Sequence, residues 1–216
     1  MDWNVIIVNL PFLMKGLWMS IKLAVLVICF AFPIACVMAV GRISNRLWIR
    51  YPSAIFVNIM RSNPLILIVF WFFFLVPILT GRPVGDFASV MIGFVVFFAA
   101  YFTEIIRSGI QSVGRNQIQA GLSTGLSYFQ MMRMIVLPQA LRNMIPALIT
   151  ECVIVFQGTT IAYVVGLREF LNSTFLVTER TLRPAELYIF AAIVYFIVCF
   201  AGSLLARQLE KRKVIT

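Results

Sequence analysis

Five stretches of this sequence are long and apolar enough to cross a lipid bilayer, and nothing else in it constrains the fold as strongly. A spanning helix needs about 20 mostly apolar residues, and such stretches run over 17–40, 55–79, 87–106, 144–166 and 187–206. Of the 216 residues, 62% are hydrophobic and 12% charged, against roughly 45–50% and about 25% in average globular domains. A chain this apolar cannot bury its excess in one soluble core. In lipid, a segment must satisfy its own backbone hydrogen bonds, which selects helices here. The sequence therefore predicts an all-α membrane protein, a single transmembrane domain over 1–216.

The positions of Lys and Arg predict its orientation. One side collects eleven (Arg42, Arg46, Arg50, Arg107, Arg115, Arg133, Arg142, Arg207, Lys211, Arg212, Lys213) and the other five (Lys15, Arg82, Arg168, Arg180, Arg183). Lys22 and Arg61 fall within spans and complete the 18 of the sequence. This bias puts the N-terminus outside and the C-terminus in the cytoplasm. The formal charge of +10 is thus a topology signal and gives no reason to expect nucleic acid. Residues 1–16 are amphipathic and expected at the interface; with Asp2 and no small-residue cleavage site, they do not read as a cleavable leader.

Several kinds of chemistry find no support. There is no His, the usual zinc ligand and proton relay. The four cysteines (Cys29, Cys36, Cys152, Cys199) lie singly in apolar runs without metal-ligand spacing. No Gly-rich loop ending in Gly-Lys-Ser/Thr is present to cradle a phosphate. No metal site or bound cofactor is expected, and nucleotide chemistry would belong to another chain.

Between the third and fourth spans lies a polar segment, about 108–142, in which Ile110, Val113, Ile118, Leu122 and Leu126 recur at helix-like spacing. Gly121 and Gly125 lie one turn apart, and Pro138 is expected to kink or restart the helix that follows. From the residues alone this is either a solvated loop with a surface helix or a helix built to seat against a partner.

The pattern Gln119-Ala120-Gly121, then Gly125, Ile135 and Leu137-Pro138 resembles the cytoplasmic loop motif of ABC importer permeases. That motif has Glu and Ala where this chain has Gln119 and Gly121. Arg61-Ser-Asn-Pro-Leu65, Glu104-Ile-Ile-Arg-Ser-Gly-Ile-Gln111 and Phe156-Gln-Gly-Thr-Thr160 extend the resemblance to polar amino acid permeases over about 10–210. Phe156-Gln157 and Glu179-Arg180 are most similar to the glutamate/aspartate type.

The resemblance implies the type I ABC importer permease fold with five transmembrane helices, in a bacterial inner membrane. It also implies a second permease subunit, identical or paralogous (the glutamate/aspartate type favours a paralogue), a cytoplasmic ABC ATPase dimer that binds the ATP and Mg, and a periplasmic substrate-binding protein. The segment 116–125, with Asn116, Gln119, Ala120, Gly121, Leu122, Ser123 and Gly125, would be the coupling helix. Gly125 reads either as a contact with the ATPase or as a plain helix stop.

Ionisable and polar residues within spans are costly and mark candidate pathways. Arg61 either pairs with a substrate carboxylate or snorkels to the interface; Asn63 lies beside it. Glu151 either lines the pathway or neutralises Arg61 or a cation of a partner subunit. Gln157, Thr159 and Thr160 either hydrogen-bond a passing amino acid or join neighbouring helices. Glu104 and Arg107, three apart, form a helix-end pair. Two other classes remain open: a self-contained secondary transporter or channel, which leaves the 119–138 motif unexplained, and a membrane enzyme, for which no triad or carboxylate pair is found.

Overall fold

The computed structural model describes residues 3–82 and 85–213, and every regular element among them is helical. In order these are α1 (Asn4–Ile43), α2 (Leu47–Ser62), α3 (Leu65–Thr80), α4 (Asp86–Gln111), α5 (Arg115–Ser123), α6 (Tyr128–Val165), α7 (Phe170–Thr181) and α8 (Pro184–Lys213). Four of them (α1, α4, α6 and α8) are long and apolar enough to span a membrane, and α2 with α3 makes a fifth if the bent pair counts as one. Asp2, Pro83 and Val84, and the side chains of Arg115, Lys211, Arg212 and Lys213, lie outside the described residues.

The core is a seam of small residues against large ones. Along α1, Leu23, Val27, Ala31, Ala35 and Ala39 are fully buried, a strict i, i+4 row. Phe94, Phe98 and Phe102 form a matching row on α4, each at most 1% exposed. Alanines on one helix let the phenylalanines of the other approach its backbone, as expected where packing rather than water exclusion joins helices. The Thr103 hydroxyl, hydrogen-bonded to the Ala99 carbonyl at 2.6 Å, also lies 3.5 Å from that of Ala35 on α1. A smaller cluster of Leu13, Phe170, Val177 and Leu187 joins α1, α7 and α8. The outer surface is apolar instead: Ile7, Val8, Val37 and Phe196 are all more than 60% exposed, as a lipid-facing surface requires.

Four boundaries differ from the sequence reading. Helix α1 is continuous from Asn4 for 40 residues, about 60 Å at 1.5 Å per residue, so the segment expected at the interface extends the first span. The second span, expected over 55–79, is broken: Asn63 and Pro64 are extended, and α2 and α3 meet at 106°. Proline's Cδ disfavours the helical conformation in the residue before it, which stops α2 at Ser62. The fourth span starts earlier than 144, since Tyr128–Val165 is one apolar helix of 38 residues with Pro138 inside it. The outer polar stretch 167–185 contains a helix, α7.

Pro77 of α3 and Pro138 of α6 each follow a widened turn. Trp71–Leu75 and Met132–Val136 are π-helical, two residues before Pro77 and Pro138. The Val76 and Leu137 amides donate five residues back, to Trp71 and Met132. Proline has no N–H and clashes with the carbonyl four residues earlier; a π turn absorbs the clash without ending the helix.

Candidate functional site

Two surfaces carry the residues singled out above. The first is α5. Ile118 and Gly121 turn inward, and a Cβ on Gly121 would come within 2.7 Å of Ile135 Cδ1. Asn116, Gln119, Ala120 and Ser123, at i, i+3, i+4 and i+7, form an exposed outer face, with Leu122 46% exposed beside them. Gly121 is thus removed from the expected partner surface: it is buried because α5 lies directly on the start of α6. Gly125 follows the helix with φ +81°, and a Cβ there would meet no atom within 4 Å.

The second surface is a cavity of about 370 Å³ between α2, α4 and α6, lined among others by Arg61, Tyr101, Glu104, Ser108, Asn143 and Glu151. That is near the lower end of the ~300–1,000 Å³ typical of small-molecule sites. Glu104 is its electrostatic centre. Its Oε2 accepts from Arg42 Nη2 at 3.2 Å, and its Oε1 accepts from Arg107 Nε at 3.0 Å and also from Arg107 Nη2. Arg107 further donates to Gln111. The expected helix-end pair is therefore one arm of a cluster that ties α1 to α4.

Arg61 stands at the edge of this cluster. Its Nη1 is 3.9 Å from Glu104 Oε1, an ion contact beyond hydrogen-bond reach, and its guanidinium lies 5.3 Å from the Tyr101 ring centre. Among the described residues it makes no hydrogen bond, and its side chain is 41% exposed. Glu151 is 7% exposed, and its Oε1 has no hydrogen-bond partner among the described residues. The expected neutralisation of Arg61 by Glu151 is absent as a direct ion pair; the two line one cavity instead.

The other candidates separate. Gln157 and Thr160 line a different cavity, against Tyr195, Phe196 and Ser203 of α8. Thr160 donates to the Gln157 carbonyl at 2.8 Å. Thr159 is fully buried with its hydroxyl on the Phe156 carbonyl at 2.7 Å, so it offers no group to a pathway. From this residue on the helix tightens into a 3-10 segment, Thr159–Val165. Asn63 spends its amide on the Ile59 carbonyl at 2.7 Å, capping the end of α2.

One residue escaped the sequence reading. Glu169 is fully buried and caps α7, accepting from the Leu171 and Asn172 amides at 2.8 and 2.6 Å. Ser20 of α1 and Tyr195 of α8 also donate to it, each at 3.3 Å. Burial pushes this carboxyl above the usual carboxylate range, while these hydrogen bonds pull the other way.

The family model for the binding-protein-dependent transport system inner membrane component matches residues 31–215. The chain belongs to that family. The glutamate/aspartate import permease GltK of Escherichia coli O157:H7 is 36% identical over 218 residues, covering 98% of this permease and 97% of GltK. The probable glutamine ABC transporter permease GlnP of Bacillus subtilis is 31% identical over 208 residues, 95% of each chain. Among solved structures, an amino acid ABC transporter crystallised with histidines superposes with a TM-score of 0.92 at 26% identity, covering 98% of this permease and 99% of that chain. The MetNI methionine ABC transporter gives 0.73 at 18% identity over 93% and 97%, a likeness of fold. This is the type I ABC permease fold, and the permease is a multi-pass, non-catalytic membrane subunit; ATP hydrolysis belongs to a separate chain.

Proposed function

We propose that this permease is the membrane subunit of an ATP-driven importer for acidic amino acids, glutamate and aspartate, working by alternating access. Similarity to amino acid permeases, and to a glutamate/aspartate permease in particular, supports the substrate class. The observation that carries the pathway is the cavity in which Arg61 and Glu151 Oε1, neither with a hydrogen-bond partner among the described residues, line the same space. A zwitterion fits such a pair: a carboxylate to the guanidinium and the ammonium to the buried carboxylate, each charge-assisted. Gln157 and Thr160 belong to a second polar stretch toward α8.

Family membership supports the rest of the assembly. A second permease, a paralogue, completes the pathway, and a periplasmic binding protein delivers the amino acid. The cytoplasmic ABC ATPase dimer holds ATP and Mg and seats on the face formed by Asn116, Gln119, Ala120, Leu122, Ser123 and Gly125. Gly121 supports that face from beneath. The eleven-to-five division of Lys and Arg supports an N-terminus outside and a C-terminus in the cytoplasm, in the bacterial inner membrane.

The test is uptake of labelled glutamate by cells expressing the complete transporter with Arg61→Gln. Uptake is expected to fall at least tenfold at unchanged membrane abundance. Wild-type uptake would remove Arg61 from the pathway.

A further inference from the structure

Three arginines and one glutamate meet where α1, α2 and α4 converge, and they do not share the carboxylate equally. Arg42 holds Oε2 at 3.2 Å. Arg107 and Arg61 both approach Oε1, but Arg107 takes it with two nitrogens while Arg61 stays at 3.9 Å. A carboxylate oxygen has limited lone-pair capacity, and Arg107, three residues away on the same helix, fills it first. Arg61 is left over Tyr101 facing the cavity, its donors unspent on the protein.

We infer that Glu104 and Arg107 are positioning residues that set how available Arg61 is to an anionic ligand. This rests on the reading of Arg61 as a pathway residue. Arg107 occupies Glu104 and so keeps Arg61 free. Glu104, still charged and close, competes with an arriving carboxylate for Arg61, so that binding stays weak enough to release. Arg42 fixes the far oxygen and keeps the carboxylate from swinging away.

The two positions then act in opposite directions, which a merely structural role would not produce. In Arg107→Gln, Glu104 Oε1 is freed to close on Arg61, and the anion loses its partner. In Glu104→Gln, the amide oxygen still accepts from Arg107, the amide nitrogen that replaces the other oxygen releases Arg42, and the competing charge is gone.

The experiment is equilibrium binding of labelled glutamate to the detergent-purified transporter, without binding protein. Arg107→Gln is expected to weaken binding about fivefold and Glu104→Gln to tighten it by a similar factor. With Arg61→Gln, binding should weaken about tenfold, and what remains should not respond to Glu104→Gln. Shifts of the same sign in the two variants, or no shift in either, would overturn the inference. Unchanged binding in Arg61→Gln would instead overturn the underlying pathway reading. Size-exclusion profiles report assembly; should Glu104→Gln fail to assemble, Arg107→Gln, which keeps the Glu104–Arg42 pair, decides by whether its binding weakens.

Discussion

Gly125 carries a φ of +81°, a backbone conformation open to Gly and, among other residues, chiefly to Asn and Asp. Its amide donates to the Leu122 carbonyl at 3.1 Å, closing the last turn of α5. A helix stop therefore explains why the residue is glycine, and the open space around it leaves room for a partner. The two roles separate in Gly125→Asn, which keeps the left-handed turn but adds a side chain. The variant should insert and fold normally and lose most ATP-coupled uptake; normal uptake would leave the helix stop as the residue's whole role. At this scale the sequence was informative where a residue's neighbours are local, as for the outward face of α5. It was silent on Glu169, whose partners Ser20 and Tyr195 lie 149 and 26 residues away. It was also silent on the burial of Thr159, because hydropathy does not register which way a helix face turns.

Element boundaries show a similar division. The break between α2 and α3 has a local signal in Asn63-Pro64, but both flanks are apolar, so a hydropathy window runs straight across it. In α6, Pro138 did not restart the helix, because a π turn absorbed it. The helix α7 was hidden by its polar composition, Asn172 to Thr174 and Thr178 to Arg180, although Ser173, Thr174 and Thr178 are buried. Its end carries measurable strain. Leu182 has φ +53° and is 82% exposed, with its amide on the Thr178 carbonyl at 2.8 Å. A left-handed residue other than Gly costs roughly 1–2 kcal/mol, least for Asn. Leu182→Asn should therefore stabilise the permease by about 1 kcal/mol, read as a higher thermal midpoint of the purified protein. A lower midpoint would mean that the Leu182 side chain makes a stabilising contact.

In the whole molecule the spans pack around the α1–α4 seam, α5 following the end of α4 and α7 the end of α6. Its class was legible because apolar runs of this length have few alternatives in lipid, and because the 119–138 pattern is specific. What the sequence could not order was the grouping of polar residues into cavities, which depends on helix rotation: Arg61 and Glu151 share one, Gln157 and Thr160 another. The cavity bordered by α2, α4 and α6 and the exposed face of α5 are the two surfaces on which the proposed function rests. The direct test is labelled glutamate uptake into proteoliposomes holding the permease, its partner permease and the ATPase, with binding protein added outside. Uptake that requires ATP and stops when the ATPase is omitted is the predicted result. Glutamate movement by the permease alone, indifferent to ATP, would contradict the account.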